Sequence, residues 1–360
     1  MHSNILLCTW KVQRLQILAP TSDRKTVLRK KAFWFIITLL CPEYIVWIAF
    51  EQWRRARRYR EVKKLGYDDW TMQHGFFIDM GGFQVELKGE SASLRIGEDN
   101  SDIIQLEDGF RFTIRLEDLL ILMKADLLSA PDISLHDLED RNKSDQFARV
   151  ITFLQVLYFA FQFFGRLGYN LPISTLELST IAFIYSALFV EYFWWDKPLD
   201  LRTPTVVKLA QEKNERFTSV FPKLRFNPPE QDLAEWGKGD FALFFDRLKE
   251  SGINTQLAYG ALTTVLINGI HISAWNNYFP SDTERFLWRI TSISTCSSIF
   301  LLWAGTNIRT KKTRLVICGL SVMLYWICRV YLMIDIFVSL RSVPEAVYQT
   351  VSWYDVLPGV

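Results

Sequence analysis

The chain has 360 residues, of which 49% are apolar and 15% aromatic, and its mean hydropathy is +0.08. That excludes an ordinary soluble domain and equally a chain made only of membrane spans, and it divides the molecule between lipid and water. With 41 basic and 39 acidic residues the net charge is only +2, so no global field recruits nucleic acid or an anionic partner.

A spanning helix needs about 20 mainly apolar residues. Six stretches of the sequence approach or meet that requirement: 32–50, 150–164, 176–195, 257–275, 286–304 and 315–340. The fold class expected is mainly α, a polytopic α-helical membrane protein with a small mixed α/β cytoplasmic insert. Its divisions are an N-terminal hydrophobic region (1–52), the insert (53–148), a two-span hairpin (149–196), a cytoplasmic loop (197–256), a three-span bundle (257–341) and a tail (342–360).

The first hydrophobic stretch is irregular. Arg24, Lys25, Arg29, Lys30 and Lys31 precede it, and Arg54, Arg55, Arg57, Arg58 and Arg60 follow it, so both flanks carry a cytoplasmic signature. Pro42 removes a backbone donor in mid-run, and Glu43 beside it costs about 2.5–3.5 kcal/mol at the centre of an inserted helix. A broken or re-entrant helix therefore competes with a plain crossing. The cluster RRARRYREVKK at 54–64 offers anionic-lipid contact through Arg54, Arg55, Arg57 and Arg58, or it simply orients the span.

Within the insert, 67–83 is aromatic and ends at Gly81-Gly82, which suits a helix lying at the membrane interface. Alternating patterns at 83–87, 94–96 and 112–116 predict short strands, and 117–130 predicts a helix. A cap formed by Ser134 and Asp137 opens a further helix into the second span. The loop after Pro198 is interrupted by Pro204, Pro222, Pro228 and Pro229, which predicts extended stretches with a short helix rather than a separate core.

The 305–314 connection carries Arg309, Lys311, Lys312 and Arg314, whereas 276–284 has no basic residue, so 305–314 is expected to be cytoplasmic. Alternation then places 51–149 and 196–256 on that same side and the C-terminus on the other.

Polar residues inside spans carry the functional possibilities, because each needs a partner in hydrocarbon. The candidate intramembrane set is Glu43, Glu191, Asn268, His271, Arg329 and Asp335. Asn268 and His271 share a helix face, suited either to an interhelical hydrogen bond or to a ligand or proton site. Thr291, Ser294, Thr295 and Ser298 form a small-residue stripe suited to close packing or a pore lining. Arg329 and Asp335 are about 240° apart around their helix and cannot pair with each other. Arg329 lies near the middle of its apolar run and needs a carboxylate from elsewhere, with Glu191, Glu177 and Glu43 as candidates. Trp194, Trp195 and Lys197 end the third span in the pattern of membrane-interface anchors.

Other chemistry is absent from the sequence pattern. Cys8, Cys41, Cys296, Cys318 and Cys328 show no CxxC spacing, and His2, His74, His136 and His271 form no ligand pair, so neither metal nor cofactor is expected. No P-loop, GxSxG, HExxH or GxGxxG occurs.

Several segments together carry a resemblance: LLCTWKVQRL at 6–15, CPEYIVWIAFEQWRRARR at 41–58, WTMQHGFFIDMGGF at 70–83, LEDRNKSDQFARVITFLQ at 138–155, LPISTLEL at 171–178, WWDKP at 194–198 and the run from Arg329 to Trp353. The chain resembles, nearly end to end, an uncharacterised family of filamentous-fungal multi-pass membrane proteins. In that family CTW closes a further N-terminal span, so the resemblance implies a start truncated relative to the family pattern. It implies no catalytic residue, substrate or cofactor. Two functions remain: a non-enzymatic role in transport, sensing or membrane organisation, or an intramembrane enzyme acting on a lipid-soluble substrate such as a terpenoid, with Glu43, Glu191, His271 or Asp335 as acid and base.

Overall fold

A computed structural model describes residues 24–87, 92–96, 102–106, 111–131, 133, 138, 143–198, 204–209, 217, 220 and 253–349. The CTW segment, the cap expected at Ser134 and Asp137, most of the 197–256 loop and residues 350–360 lie outside the described residues. The described chain is mainly helical with a small sheet.

The first apolar stretch is broken. Helix α1 (Arg24–Leu40) ends at Cys41, whose φ of −134° and ψ of 63° leave the helical region, and α2 (Pro42–Ala56) begins with proline at its first position. Proline there sacrifices no helical hydrogen bond, because the first N–H groups of a helix have no partner in any case. The two helices meet at a 112° bend, which makes the pair a broken span or a re-entrant loop.

Helix α3 (Tyr59–Lys63) follows, then α4 (Met72–Asp79). The insert is completed by β1 (Phe83–Leu87), β2 (Ala92–Ile96), β3 (Asp102–Leu106), β4 (Arg111–Thr113) and α5 (Leu116–Lys124). Strands β2 and β3 form their own antiparallel pair, and β3 falls where no strand was expected. Strand β5 (Thr205–Leu209), from the loop after Pro198, lies parallel to β1 with Val85 opposite Val207, while β4 lies antiparallel on the other edge. The described part of the loop and the insert therefore share one sheet and one core, built on Val62, Phe77, Phe83, Val85, Phe112, Leu119 and Leu209.

Helix α4 turns its aromatic side chains into the protein. Phe76, Phe77 and Ile78 are buried because α4 is sandwiched between α2 and the sheet. Gly75 is what permits the contact: a Cβ there would stand 2.3 Å from the Ala56 carbonyl oxygen, so the two helices meet backbone to backbone. Gly81 ends the helix with φ +87°, a conformation glycine adopts without steric cost. His74 fixes its start: Nδ1 accepts from the Thr71 N–H at 3.1 Å, and Nε2 donates to the Ile133 carbonyl at 3.0 Å.

The remaining helices are α6 (Lys143–Gly168), α7 (Thr175–Phe193), α8 (Ile253–Ser273), α9 (Asp282–Thr306) and α10 (Lys311–Val338). Among the described residues, four segments are long and apolar enough to cross a membrane, Val150–Gly168, Thr175–Phe193, Asp282–Thr306 and Lys312–Arg341, or five if the bent pair counts as one span. Helix α8, expected as a span, has 21 residues but is not among them. Its polar side chains Thr263, Thr264, Asn268 and His271 lower its hydropathy, and all four are buried against neighbouring helices.

The bundle has two distinguishable ends. At one, Phe193 of α7 meets Phe50 of α2 and Tyr259 of α8. At the other, Thr175 of α7 bonds Ser339 just beyond α10, and Trp288 of α9 bonds the His271 carbonyl near the end of α8. Since α10 finishes where α7 starts, the basic α9–α10 turn lies at the same end as the arginines following α2.

Polarity across the bundle is inverted relative to a water-soluble protein. Ser179, Thr180 and Ser186 of α7, Asn268 and His271 of α8, Ser292, Thr295 and Ser298 of α9, and Ser321, Arg329 and Asp335 of α10 are buried. Facing outward on the same group of helices are Leu188, Leu262, Leu266, Ile290, Ile293, Phe300, Leu320, Met323, Ile327 and Ile334. The expected α9 stripe is thus partly internal: Thr295 and Ser298 are buried, Thr291 and Ser294 half-buried. Where α9 and α10 converge, a Cβ on Gly305 would come within 2.9 Å of the Cys318 sulfur.

Candidate functional site

The break at Cys41 places Glu43 in the first turn of α2, where a carboxylate is favoured by the helix dipole and by unpaired N–H groups. It points into the bundle. Arg329 donates from Nη2 to Glu43 Oε2 at 2.9 Å and from Nε to the Leu40 carbonyl at 3.0 Å. One guanidinium therefore neutralises the carboxylate opening α2 and occupies an otherwise unpaired carbonyl closing α1. The ion pair is 4% and 6% exposed at its two side chains, so it is dry as well as close.

The other carboxylate oxygen is also taken. Tyr325, one turn before Arg329 and on the same face of α10, donates its hydroxyl to Glu43 Oε1 at 2.7 Å. Asn268 Nδ2 reaches the same oxygen at 3.4 Å and also donates to the Thr264 carbonyl at 2.9 Å. Asn268 Oδ1 is buried without a hydrogen-bond partner. His271 lies one turn further along α8; its Nδ1–H donates to the Ile267 carbonyl at 3.1 Å, and its ring is tilted against Trp288 at 6.1 Å.

Of the six sequence candidates, Glu43, Asn268 and Arg329 come together, with His271 adjacent. Asp335 lies about 9 Å further along α10 by helical rise, toward the end where Ser339 meets Thr175. Its Oδ1 accepts from Tyr331 at 3.3 Å, and Oδ2 is buried without a partner. Glu191 is half-buried on α7 two residues before Phe193, hence at the opposite end of the bundle. The three carboxylates occupy three different levels.

Glu177, another candidate partner for Arg329, belongs elsewhere. It accepts from the Ser174 N–H at 2.9 Å as part of a capping box and stands 3.5 Å from Arg166. Arg166 also donates to the carbonyls of Pro172, Val347 and Gln349, fastening the chain after α10 to the α6–α7 connection.

The interface-anchor trio is split. Trp195 is 66% exposed, but Trp194 is buried and Lys197 is fully enclosed. Lys197 donates to Gln52 Oε1 at 2.8 Å and sits 4.1 Å above the Trp194 ring, which ties the end of α7 to α2. Buried in this way, Trp194 and Lys197 join the end of α7 to α2.

The arginine cluster is likewise redistributed. Arg54 pairs with Glu51, Arg55 makes two bonds to Asp79 at 2.7 and 3.2 Å, and Arg58 pairs with Glu117. Three of the four arginines assigned to lipid thus have carboxylate partners, two of them in the insert. Arg57 is exposed and stacks over Trp53 at 4.3 Å.

Sequence reasoning passed over Tyr325, the Leu40 carbonyl and Trp288. The i, i+4 spacing of Tyr325 and Arg329 was a readable signal for the first; the second depends on the bend, which no spacing reveals. Among the described residues, no three His, Cys, Asp or Glu side chains cluster closely enough to share a metal ion.

A family model matches residues 3–222 and 304–360, more than half of the chain, and its description is a family of unknown function, DUF8562. The chain belongs to that family. The matched ranges include Glu43, Tyr325 and Arg329 and omit Asn268 and His271. No curated protein and no solved structure matches the chain.

Proposed function

We propose that this DUF8562 member is an integral multi-pass membrane protein with a non-enzymatic role in transport, sensing or membrane organisation, in which the Glu43–Arg329 pair pins a broken helix inside the bundle. The observation that carries the reading is the inverted polarity of the bundle: serines, threonines, Asn268, Arg329 and Asp335 inside, leucines and isoleucines outside. Water would select the reverse arrangement, and hydrocarbon selects this one.

Two observations support the expected sidedness. The basic α9–α10 turn and the arginines after α2 share one end of the bundle, which the positive-inside tendency assigns to the cytoplasm. The pairing of β1 with β5 requires the insert and the 197–256 loop to lie on one side, because strands cannot pair across a bilayer.

The non-enzymatic reading rests on the state of the acids. Both oxygens of Glu43 accept from protein donors, and Glu191 and Asp335 lie at other levels, so acids do not converge as general acid–base chemistry requires. A broken helix at a buried charge is instead the arrangement common in carriers and gated proteins.

Alkaline carbonate extraction tests integration, and recovery in the soluble fraction refutes it. Single cysteines introduced at Arg309 and Tyr278, with the native cysteines replaced, test sidedness by an impermeant maleimide; labelling of position 309 from outside reverses the topology. Metabolite comparison of a deletion strain tests the role. Accumulation of one lipid-soluble precursor with loss of its product refutes the non-enzymatic reading and favours the intramembrane enzyme.

A further inference from the structure

We infer that Arg57, Arg60 and Lys64, together with Arg309 and Lys312 of the α9–α10 turn, form a collar of exposed cations that binds anionic phospholipid headgroups of one leaflet. The inference rests on the membrane reading above and reassigns the lipid contact away from Arg54, Arg55 and Arg58, whose charges are committed to Glu51, Asp79 and Glu117.

The first observation is exposure. Arg57, Arg60, Lys64, Arg309 and Lys312 are all exposed, whereas Arg54, Arg55 and Arg58 are half-buried with their carboxylates. Glu61 is also exposed on α3, so that group carries three cations against one carboxylate. Arg57 lies over Trp53, a ring type that favours the headgroup level.

The second observation is height. From the Glu43–Arg329 pair, α2 runs 13 residues to Ala56 and α10 runs back 17 residues to Lys312, toward the same end of the bundle. At 1.5 Å per residue these rises along the two helices are about 20 and 25 Å, so the helix ends that carry the two groups of cations differ by only about 5 Å in rise from the ion pair. In the other direction α10 runs ten residues from Arg329 to Ser339, about 15 Å, matching half the hydrocarbon thickness of about 30 Å. With the ion pair near the midplane, a level 20–25 Å away is the headgroup layer, since half of a bilayer with its headgroups measures about 20–22 Å.

Charge complementarity selects the occupant. The collar borders an apolar belt that includes Leu315, Val316, Trp303 and Leu65, all exposed, so a ligand meeting both surfaces must be anionic at one end and hydrocarbon at the other. An acidic phospholipid has that chemistry. A cation beside an anionic surface strengthens its attraction about fivefold, and the effect is screened by salt.

The test uses full-length protein in mild detergent, with bound lipid counted by native mass spectrometry after addition of equal phosphatidylserine and phosphatidylcholine. Wild type is expected to retain phosphatidylserine preferentially, with the preference falling as ammonium acetate is raised. The triple variant Arg57→Gln/Arg60→Gln/Lys64→Gln should lose most of that preference, and Arg309→Gln/Lys312→Gln should lose part of it. Lys124→Gln, an exposed cation at the end of α5 that is not part of the collar, should bind as wild type. Equal retention of the two lipids by wild type, a triple variant indistinguishable from wild type, or an equal loss in Lys124→Gln each overturns the collar. If the triple variant elutes or melts abnormally, Arg60→Gln alone is read, with an expected loss of about fivefold. Carbonate extraction separates the two readings: a protein that resists extraction yet shows no lipid preference refutes the collar alone, and one that is extracted refutes both.

Discussion

Replacing Arg329 by methionine keeps the bulk of the side chain and deletes its charge and donors. Glu43 then stays buried without its cation, and the Leu40 carbonyl loses the Nε donor. A charge-assisted hydrogen bond is worth about 1.5–3 kcal/mol and an abandoned buried acceptor about 1–3 kcal/mol, which together agree with the 3–5 kcal/mol typical of breaking a buried pair from one side. At about 2.1 cal/mol/K of unfolding entropy per residue, a 360-residue chain shifts by about 1.3 °C per kcal/mol, so melting should fall by about 4–7 °C. Adding Glu43→Gln removes the stranded charge, and the glutamine still accepts from Tyr325, so the double variant should recover most of the loss. Thermal unfolding of detergent-solubilised wild type, both single variants and the double variant closes the cycle. If Arg329→Met melts with wild type, or if the two single effects simply add, the pair does not hold the broken helix and the reasoning fails.

Other contacts make separate predictions. Gly75→Ala drives a methyl into the Ala56 carbonyl and should cost about 1–3 kcal/mol, read as faster hydrogen exchange through Met72–Asp79 and Phe83–Leu87; unchanged exchange would mean that α2 and α4 can separate freely. Arg55→Gln breaks two bonds to Asp79 and should loosen the insert in limited proteolysis, whereas Arg57→Gln should leave stability within about 0.5 kcal/mol. Equal effects at the two positions would contradict the division between internally paired and exposed arginines. Arg166→Met removes the donor shared by Pro172, Val347 and Gln349, so exchange at Glu345–Tyr348 should rise while Pro42–Ala56 stays protected.

How much of the fold the sequence disclosed depends on the range of the cause. The break before Glu43 was legible because proline acts on its own backbone and on the turn preceding it. Strand β1 was legible from alternation at 83–87, and the end of α4 from the glycine pair. The burial of α4 was not legible: an aromatic, low-charge helix looks alike whether it meets lipid or a sheet, and what decides is Gly75 against Ala56, two residues on different helices. Strand β5 was hidden for a related reason. Its five residues read as an isolated extended run, and only pairing with β1, more than a hundred residues earlier, makes it part of a core.

The site divides along the same line. That Arg329 needed a carboxylate followed from hydrocarbon alone; which carboxylate did not. Glu43, Glu177 and Glu191 all sit in or beside apolar runs, and no spacing ranks partners that lie on different helices. The choice is made by chain direction. Because α7 and α10 run antiparallel, Glu177 lies level with the Ser339 end and Glu191 level with the basic end, leaving Arg329 between them. The bend at Cys41 turns α2 so that its first residues, and not its middle, arrive at that intermediate height. Glu43 is therefore selected by the same proline that breaks the helix, and the guanidinium it attracts also occupies the Leu40 carbonyl on the other side of the break. Breaking a helix in hydrocarbon exposes backbone groups that need partners, and here one side chain, held by one carboxylate, serves both halves of the broken segment.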